Sequence, residues 1–119
     1  MRILLCCAAG MSTSLLVRKM NKFAETHKID CTIWAIPAEA VHHHIDKADV
    51  ILLGPQVRFL LPDVTKMASK KGIPVSIINT VDYGKFNARE VLDMAVKLVS
   101  HEGGSNQAFL RASNNTANK

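Results

Sequence analysis

The sequence predicts an α/β domain with a parallel sheet, because short apolar runs alternate with longer segments of helical periodicity. The candidate strands cover residues 3–6, 31–36, 49–53 and 74–78. The run at 49–53 is almost continuously apolar, which is typical of a central strand covered on both faces. The chain has 119 residues, of which 48% are hydrophobic. That is enough for one domain with its own core.

Helical segments fill the intervals between the candidate strands. Leu15, Leu16, Met20 and Phe23 carry a helical period that opens at Ser14. Short helices are expected over 38–45 and from about residue 61 to 70, since a proline is tolerated only in the first turn of a helix. Residues 79–85 are expected to form a loop before a last helix from residue 87.

The order of these elements predicts a four-stranded parallel sheet flanked by helices on both faces, with a flavodoxin-like layout. Right-handed crossovers place the carboxyl ends of all parallel strands at one edge of the sheet. The loops that begin at Cys7, at Gly54 and at Asn79 would therefore meet there. Ligands of open α/β sheets bind at this edge.

Residues 1–101 are expected to form the domain, and residues 102–119 a flexible, disordered tail. The tail is polar and lacks helical or strand periodicity. No apolar run is long enough to span or insert into a membrane, and no signal peptide is recognisable, so a cytoplasmic location is expected. The odd number of cysteines fits a reducing compartment. Sparse aromatic residues argue against nucleic-acid binding, despite a net charge of +5.

The segment from Cys7 to Ser14 is the strongest candidate for chemistry. A cysteine ends an apolar strand, small and hydroxyl residues follow, and a helix begins behind them. Free N–H groups and the positive end of the helix dipole then surround one point, which binds anions and favours the thiolate of Cys7. Ser12, Thr13 or Ser14 would cap the helix. A nucleophilic thiolate beside a phosphate cradle predicts a phosphorylated cysteine.

Three stretches resemble the enzyme IIB proteins of the lactose/cellobiose/chitobiose class of the phosphoenolpyruvate-dependent sugar phosphotransferase system. They cover residues 3–17, residues 48–56, and residues 83–85 with the sequence Tyr-Gly-Lys. The resemblance implies a phosphocarrier without a cofactor, whose Cys7 takes phosphate from a phosphohistidine of enzyme IIA. It further implies transfer to a sugar bound by the membrane component, enzyme IIC, at the inner face of the membrane. It leaves lactose, cellobiose and chitobiose open.

The phosphate-binding residues expected around Cys7 belong to the loop and the first helical turn. They are Ala9, Gly10, Met11, Ser12, Thr13 and Ser14. The alternative chemical function is that of a low-molecular-weight cysteine phosphatase. Those enzymes need an arginine six positions after the cysteine to hold the phosphoryl group, and Thr13 occupies that place. A phosphatase would also need a general acid, for which Asp82 is the candidate. A binding module without covalent chemistry is a further alternative.

Other polar residues are assigned lesser roles. Met11, Gln56, Arg58 and Tyr83 are candidates for partner docking. The consecutive histidines at 42–44 point in different directions on a helix, so no metal site is expected. Cys6 and Cys31 are expected to be structural thiols within strands.

Overall fold

The computed structural model describes residues 1–8 and 11–102 and contains a four-stranded, fully parallel sheet. The strands are β1 Arg2–Cys7, β2 Thr32–Pro37, β3 Val50–Leu53 and β4 Val75–Ile77. The helices are α1 Met11–Thr26, α2 Val41–His44, α3 Leu61–Ser69, α4 Thr80–Gly84 and α5 Ala88–Glu102. The predicted α/β class is confirmed. The expected tail lies outside the described residues from 103 onward, and Glu102 is the last residue of α5.

The strand order is β2-β1-β3-β4, which is the order of a flavodoxin-like sheet without its fifth strand. The chain leaves β1 toward β2 on one side and reaches β3 on the other side of β1. The carboxyl ends of β1 and β3 therefore flank the point where the strand order reverses. Cys7 ends β1 at this point, and Gly54 follows β3.

Helices cover both faces of the sheet, as the sequence predicts. Successive strand residues point to opposite faces, so β1 contributes to two separate cores. Ile3 and Leu5 pack with α1 and α5, whereas Leu4 and Cys6 pack with α2 and α3. All four side chains are fully buried or nearly so. This two-sided burial explains why the strands read as continuous apolar runs.

Two elements differ from the sequence-based expectations. The segment 38–47 is not one regular helix: 3₁₀ turns at Ala38–Ala40 and Ile45–Lys47 flank α2. Residues 79–85 are not a loop, because α4 occupies Thr80–Gly84. The side chain of Asn79 caps α4 by accepting hydrogen bonds from the N–H groups of Val81, at 2.7 Å, and Asp82, at 3.3 Å. A helix of barely one turn shows no period in a sequence.

The third helix follows the expected plan. A 3₁₀ segment, Pro55–Leu60, precedes α3, and the regular helix begins at Leu61. Gly72 follows its end with φ of +68°, a left-handed conformation that favours glycine. Within residues 1–8 and 11–102, no helix is both long and apolar enough to cross a membrane.

Candidate functional site

Cys7 lies at the end of β1, on the face of the sheet that carries α1. Residue alternation puts its side chain on the same side as Ile3 and Leu5, which pack against α1 and α5. The helix α1 begins at Met11, only four positions after the cysteine. Its first turn has N–H groups without acceptors inside the helix. The positive end of α1 therefore follows directly on the strand end that carries the thiol.

The thiol of Cys7 is buried, with 1% of the residue exposed. Its Sγ contacts the backbone oxygen of Ile36 on the neighbouring strand at 3.9 Å. Ala8, the next residue, is exposed. The sulfur therefore lies just beneath the surface at the edge of the sheet.

Helix α1 starts earlier than its apolar period indicates, which changes the expected capping. Ser12, Thr13 and Ser14 all lie inside the first turn of α1, so none of them is its N-cap. The four apolar positions that signal the helix come after this turn, so the pattern alone places the start too late. Ala9 and Gly10 lie outside the described residues, as do the side chains of Met11 and Ser12. Ser14 is exposed.

Thr13 does not present its hydroxyl to solvent. The residue is 1% exposed, and its Oγ1 is hydrogen-bonded to Oη of Tyr83 at 2.7 Å. Tyr83, on α4, is itself only 7% exposed. The expected docking role of Tyr83 does not agree with this burial, since a covered side chain offers no contact surface.

The three predicted loops do meet at one edge of the sheet. The N–H of Gly54 donates to the oxygen of Cys6 at 2.8 Å, and the N–H of Ile78 donates to the oxygen of Leu53 at 2.8 Å. A Cβ on Gly54 would lie 3.5 Å from the ring of Tyr83 and 3.4 Å from the oxygen of Cys6. The ends of β1, β3 and β4 are thus in direct contact at the edge of the sheet where Cys7 ends β1.

Of the other two cysteines, Cys6 is buried in β1 between the sheet and α2 and α3. Burial, together with the neighbouring Cys7, raises the pKa of the Cys6 thiol to about 12. Cys31 is half-buried and lies just before β2, not inside it. Burial is also the largest cause of the raised pKa of Cys31. Both thiols stay protonated near neutral pH.

A groove on the α2–α3 side of the sheet reaches Ala8, the residue that follows the cysteine. Its volume is about 450 Å³, and Ala8, Val41, Val57 and Val64 form part of its lining. Phe59 lines it as well and is 72% exposed, an unusual state for a large apolar side chain. Sequence reasoning missed Phe59, because its apolar neighbours at 57, 60 and 61 make it look like part of a core. Gln56 and Arg58 are exposed next to it.

The arginine and acid that a phosphatase needs are not in place among the described residues of the site. Arg18 is exposed on α1, beyond the first turn. Asp82 is committed to local structure: its Oδ1 accepts a hydrogen bond from Nδ2 of Asn87 at 2.9 Å. A thiol beside a helix start without these groups suits phosphate holding better than phosphate hydrolysis.

The histidine run has a structural setting. His42 and His43 are exposed, while Nδ1 of His44 accepts a hydrogen bond from Nε1 of Trp34 at 3.2 Å. In the described part of the chain, no three histidine, cysteine or acidic residues are grouped as metal ligands would be.

Comparison with known proteins agrees with this geometry. The family model described as "PTS system, Lactose/Cellobiose specific IIB subunit" matches residues 2–94. The oligo-beta-mannoside-specific EIIB component of Bacillus subtilis is 36% identical over 101 residues, covering 85% of this chain and 98% of that protein. The cellobiose-specific EIIB component of Lactococcus lactis subsp. lactis is 42% identical over 103 residues, covering 82% of this chain and 95% of that protein.

Solved structures show the same relation. The cellobiose-specific phosphotransferase IIB component of Borrelia burgdorferi matches with a TM-score of 0.73 and 43% identity, over 87% of this chain and 94% of that one. The lactose-specific IIB domain of Streptococcus pneumoniae matches with a TM-score of 0.75 over 82% of this chain and 96% of that one; at 19% identity it supports the fold alone. The chain belongs to the lactose/cellobiose-specific IIB family of the sugar phosphotransferase system.

Proposed function

We propose that Cys7 is the residue through which this enzyme IIB carries phosphate. The observation that supports it is the position of the thiol, at the end of β1 and four positions before the start of α1. The raised pKa of Cys6 and of Cys31 leaves these two thiols protonated and poorly nucleophilic near neutral pH. These contrasts support Cys7, and not Cys6 or Cys31, as the proposed carrier.

The reaction has two displacements at phosphorus. In the first, the thiolate sulfur of Cys7 bonds to the phosphorus of a phosphohistidine on an enzyme IIA. The phosphorus–nitrogen bond breaks, its electron pair stays on the ring nitrogen, and the proton given up by the Cys7 thiol leaves the imidazole neutral. In the second, a sugar hydroxyl oxygen attacks the phosphorus, the sulfur leaves as thiolate, and the hydroxyl proton passes to a base in the acceptor complex. Both steps need the attacking and leaving atoms roughly in line.

The residues proposed to hold the phosphoryl group between these steps are those of the expected loop and first turn. They are Ala9, Gly10, Met11, Ser12, Thr13 and Ser14. Their contribution is backbone N–H groups at the positive end of α1, which bind an anion without activating water. The Thr13 hydroxyl is engaged with Tyr83, so for this residue the backbone is the proposed ligand.

The burial of Cys7 adds a requirement to the mechanism. A donor imidazole must approach the sulfur within bonding distance, yet the residue is 1% exposed. The covering atoms must therefore move when a partner docks. Burial of the free thiol between these events protects it from oxidation.

The partners are proposed to be an enzyme IIA as donor and a membrane enzyme IIC with bound sugar as acceptor, with the chain cytoplasmic and transiently at the membrane. Docking is proposed at Met11, Gln56 and Arg58, together with the exposed Phe59. The sugar class is the β-linked disaccharides or oligosaccharides, by analogy with the cellobiose- and oligo-beta-mannoside-specific relatives.

The proposal is tested by labelling from a phosphorylated enzyme IIA, using single cysteine variants of the full chain. Wild type, Cys6→Ser and Cys31→Ser are expected to take up phosphate, and Cys7→Ser is expected to take up none. Circular dichroism checks that all four chains are folded. Labelling of folded Cys7→Ser to the wild-type level would overturn the assignment. Continuous release of inorganic phosphate from an aryl phosphate would instead show a phosphatase.

A further inference from the structure

The hydroxyl pair of Thr13 and Tyr83 joins two parts of the site that are 70 residues apart in the sequence. Thr13 is the third residue of α1, and Tyr83 lies on α4. The two oxygens are 2.7 Å apart, and both residues are buried. A buried hydrogen bond of this kind restricts both partners, because breaking it leaves polar atoms without water.

Tyr83 is held in place from several directions. The α4 turn is capped by Asn79, and Asp82 is tied to Asn87 by a side-chain hydrogen bond at 2.9 Å. The Tyr83 ring lies against Gly54, whose N–H binds the oxygen of Cys6. Tyr83 is therefore fixed relative to the end of β1, the strand that carries Cys7.

The first turn of α1 depends on such an anchor more than the later turns of the helix do. The connection between Cys7 and Met11 is short in sequence. Among the α1 side chains that the structure describes, the first fully buried apolar one is Leu16. The turn that would supply N–H groups to a phosphoryl group thus precedes the firmly packed part of the helix. Thr13 contributes a buried side chain to that turn.

We propose that Thr13 and Tyr83 are a positioning pair, which holds the start of α1 against the end of β1 so that its N–H groups stay directed at Cys7. This inference rests on the proposed phosphocysteine function for its consequence in transfer. The pair acts on α1 and not on the phosphoryl group itself. Tyr83 is a positioning residue, not a docking residue.

The pair is tested by a double-mutant cycle with Thr13→Val and Tyr83→Phe, which remove the hydroxyls while keeping the shape of both side chains. Each single variant is expected to slow phosphoryl transfer at saturating phosphorylated enzyme IIA about fivefold, the effect of losing one hydrogen bond. The KM for the donor stays at the wild-type value. The double variant is expected to be no slower than either single one. Thr13→Ser, which keeps the hydroxyl, should restore the rate.

Hydrogen exchange gives a second readout that needs no partner protein. The amides of residues 15–17 close the first turns of α1 by bonding to carbonyls four positions earlier. Their exchange is expected to quicken about fivefold in both single variants and equally in the double variant. Exchange in the β1 strand should not change.

Ser100→Ala is the matched control. Ser100 Oγ donates to the oxygen of Val96 at 2.8 Å, so this variant also loses a partly buried hydroxyl bond, but on α5. Urea unfolding measures the loss of stability in every variant. Ser100→Ala is expected to lower stability without changing transfer or the exchange of residues 15–17. If a variant only lowered the free energy of global unfolding, hydrogen exchange would quicken at all amides in proportion to that loss, and not at residues 15–17 alone.

The outcomes separate the inference from the proposed function. If wild type accepts no phosphate, the proposed function fails, and hydrogen exchange alone still decides whether the pair holds the start of α1. If Thr13→Val and Tyr83→Phe leave exchange at residues 15–17 unchanged, or if their effects add in the double variant, the positioning role is wrong. Slower transfer with unchanged exchange would show direct contact with phosphate, which also contradicts it.

Discussion

At the scale of single residues, the alternation of side chains along β1 places Cys6 and Cys7 on opposite faces of the sheet. Cys6 faces the core beneath α2 and α3, whereas Cys7 falls on the side of α1. Burial and the adjacent Cys7 raise the pKa of Cys6 to about 12. One thiol is thereby kept protonated, while the next lies beside the positive end of a helix. A one-residue shift of β1 would exchange these environments.

The raised pKa of Cys6 predicts a particular alkaline instability. Both folded and unfolded chains hold this proton below the ordinary value of 9.0, so Cys6 adds no pH dependence there. Between 9.0 and about 12 the unfolded chain releases the proton and the folded chain keeps it, so stability falls as pH rises. In Cys6→Ala this part of the fall is expected to disappear.

The measurement is urea unfolding of wild type and Cys6→Ala between about pH 8 and pH 11, which covers most of the interval between the ordinary and the raised pKa of Cys6. Other groups that titrate here are common to both chains, so the difference between the two curves isolates Cys6. Parallel curves would show that Cys6 is not protected by burial. Cys6→Ala should still accept phosphate on Cys7.

The environment of Cys7 could be predicted from the sequence only in part. The position of Cys7 next to a helix start was predictable, because an apolar run followed by small and hydroxyl residues has few other structures. The burial of its thiol was not, and neither was the pairing of Thr13 with Tyr83. Contacts across 70 residues leave no periodic signal in a single sequence.

At the scale of elements, the end of a helix is the feature that the local sequence predicts best. The glycine at 72 ends the α3 region in a left-handed conformation, and the N–H of Ile73 donates to the oxygen of Ala68 at 3.0 Å. By contrast, α4 was missed although Asn79 is a good N-cap, because a one-turn helix has no apolar period. Caps become informative only when a following pattern is long enough to confirm them.

Two glycines give a matched prediction at this scale. No atom within 4 Å would touch a Cβ at either Gly72 or Gly84, but only Gly72 of the two has a positive φ. Gly72→Ala is therefore expected to lower stability by about 1 kcal/mol through backbone strain alone. Gly84→Ala, at the end of α4, is expected to leave stability unchanged or raise it slightly. Thermal and urea unfolding of both variants check this, and equal destabilisation would contradict it.

At the scale of the whole molecule, the parallel sheet places the proposed phosphate site and the exposed groove at one edge. The strand order brings the ends of β1, β3 and β4 together, and the groove with Phe59 opens next to Ala8. The order itself was predictable only in part: right-handed crossovers require a shared edge but do not decide which strands are neighbours. The exposure of Phe59 was not predictable, because Val57 interrupts the helical geometry of the segment Pro55–Leu60 with φ of −117° and ψ of 23°.

Phe59→Ala tests whether the groove is a docking surface. Removing a large apolar side chain from an interface is expected to raise the KM for phosphorylated enzyme IIA about tenfold, with the maximal transfer rate unchanged. Stability should change little, because Phe59 is 72% exposed. Val81→Ala is the control, since Val81 is 56% exposed on α4 and does not line the groove. Equal KM values for Phe59→Ala and wild type would place docking elsewhere.

The central claim is that phosphate is carried on the sulfur of Cys7. Its most direct measurement is phosphorus NMR of the full chain after incubation with a phosphorylated enzyme IIA. Tandem mass spectrometry of the tryptic peptide of residues 3–18, which holds both Cys6 and Cys7, then locates the modified residue. The account predicts a resonance of phosphorus bonded to sulfur and a modification on Cys7 alone. A phosphoryl group on a histidine, on a hydroxyl or on Cys6 would contradict it.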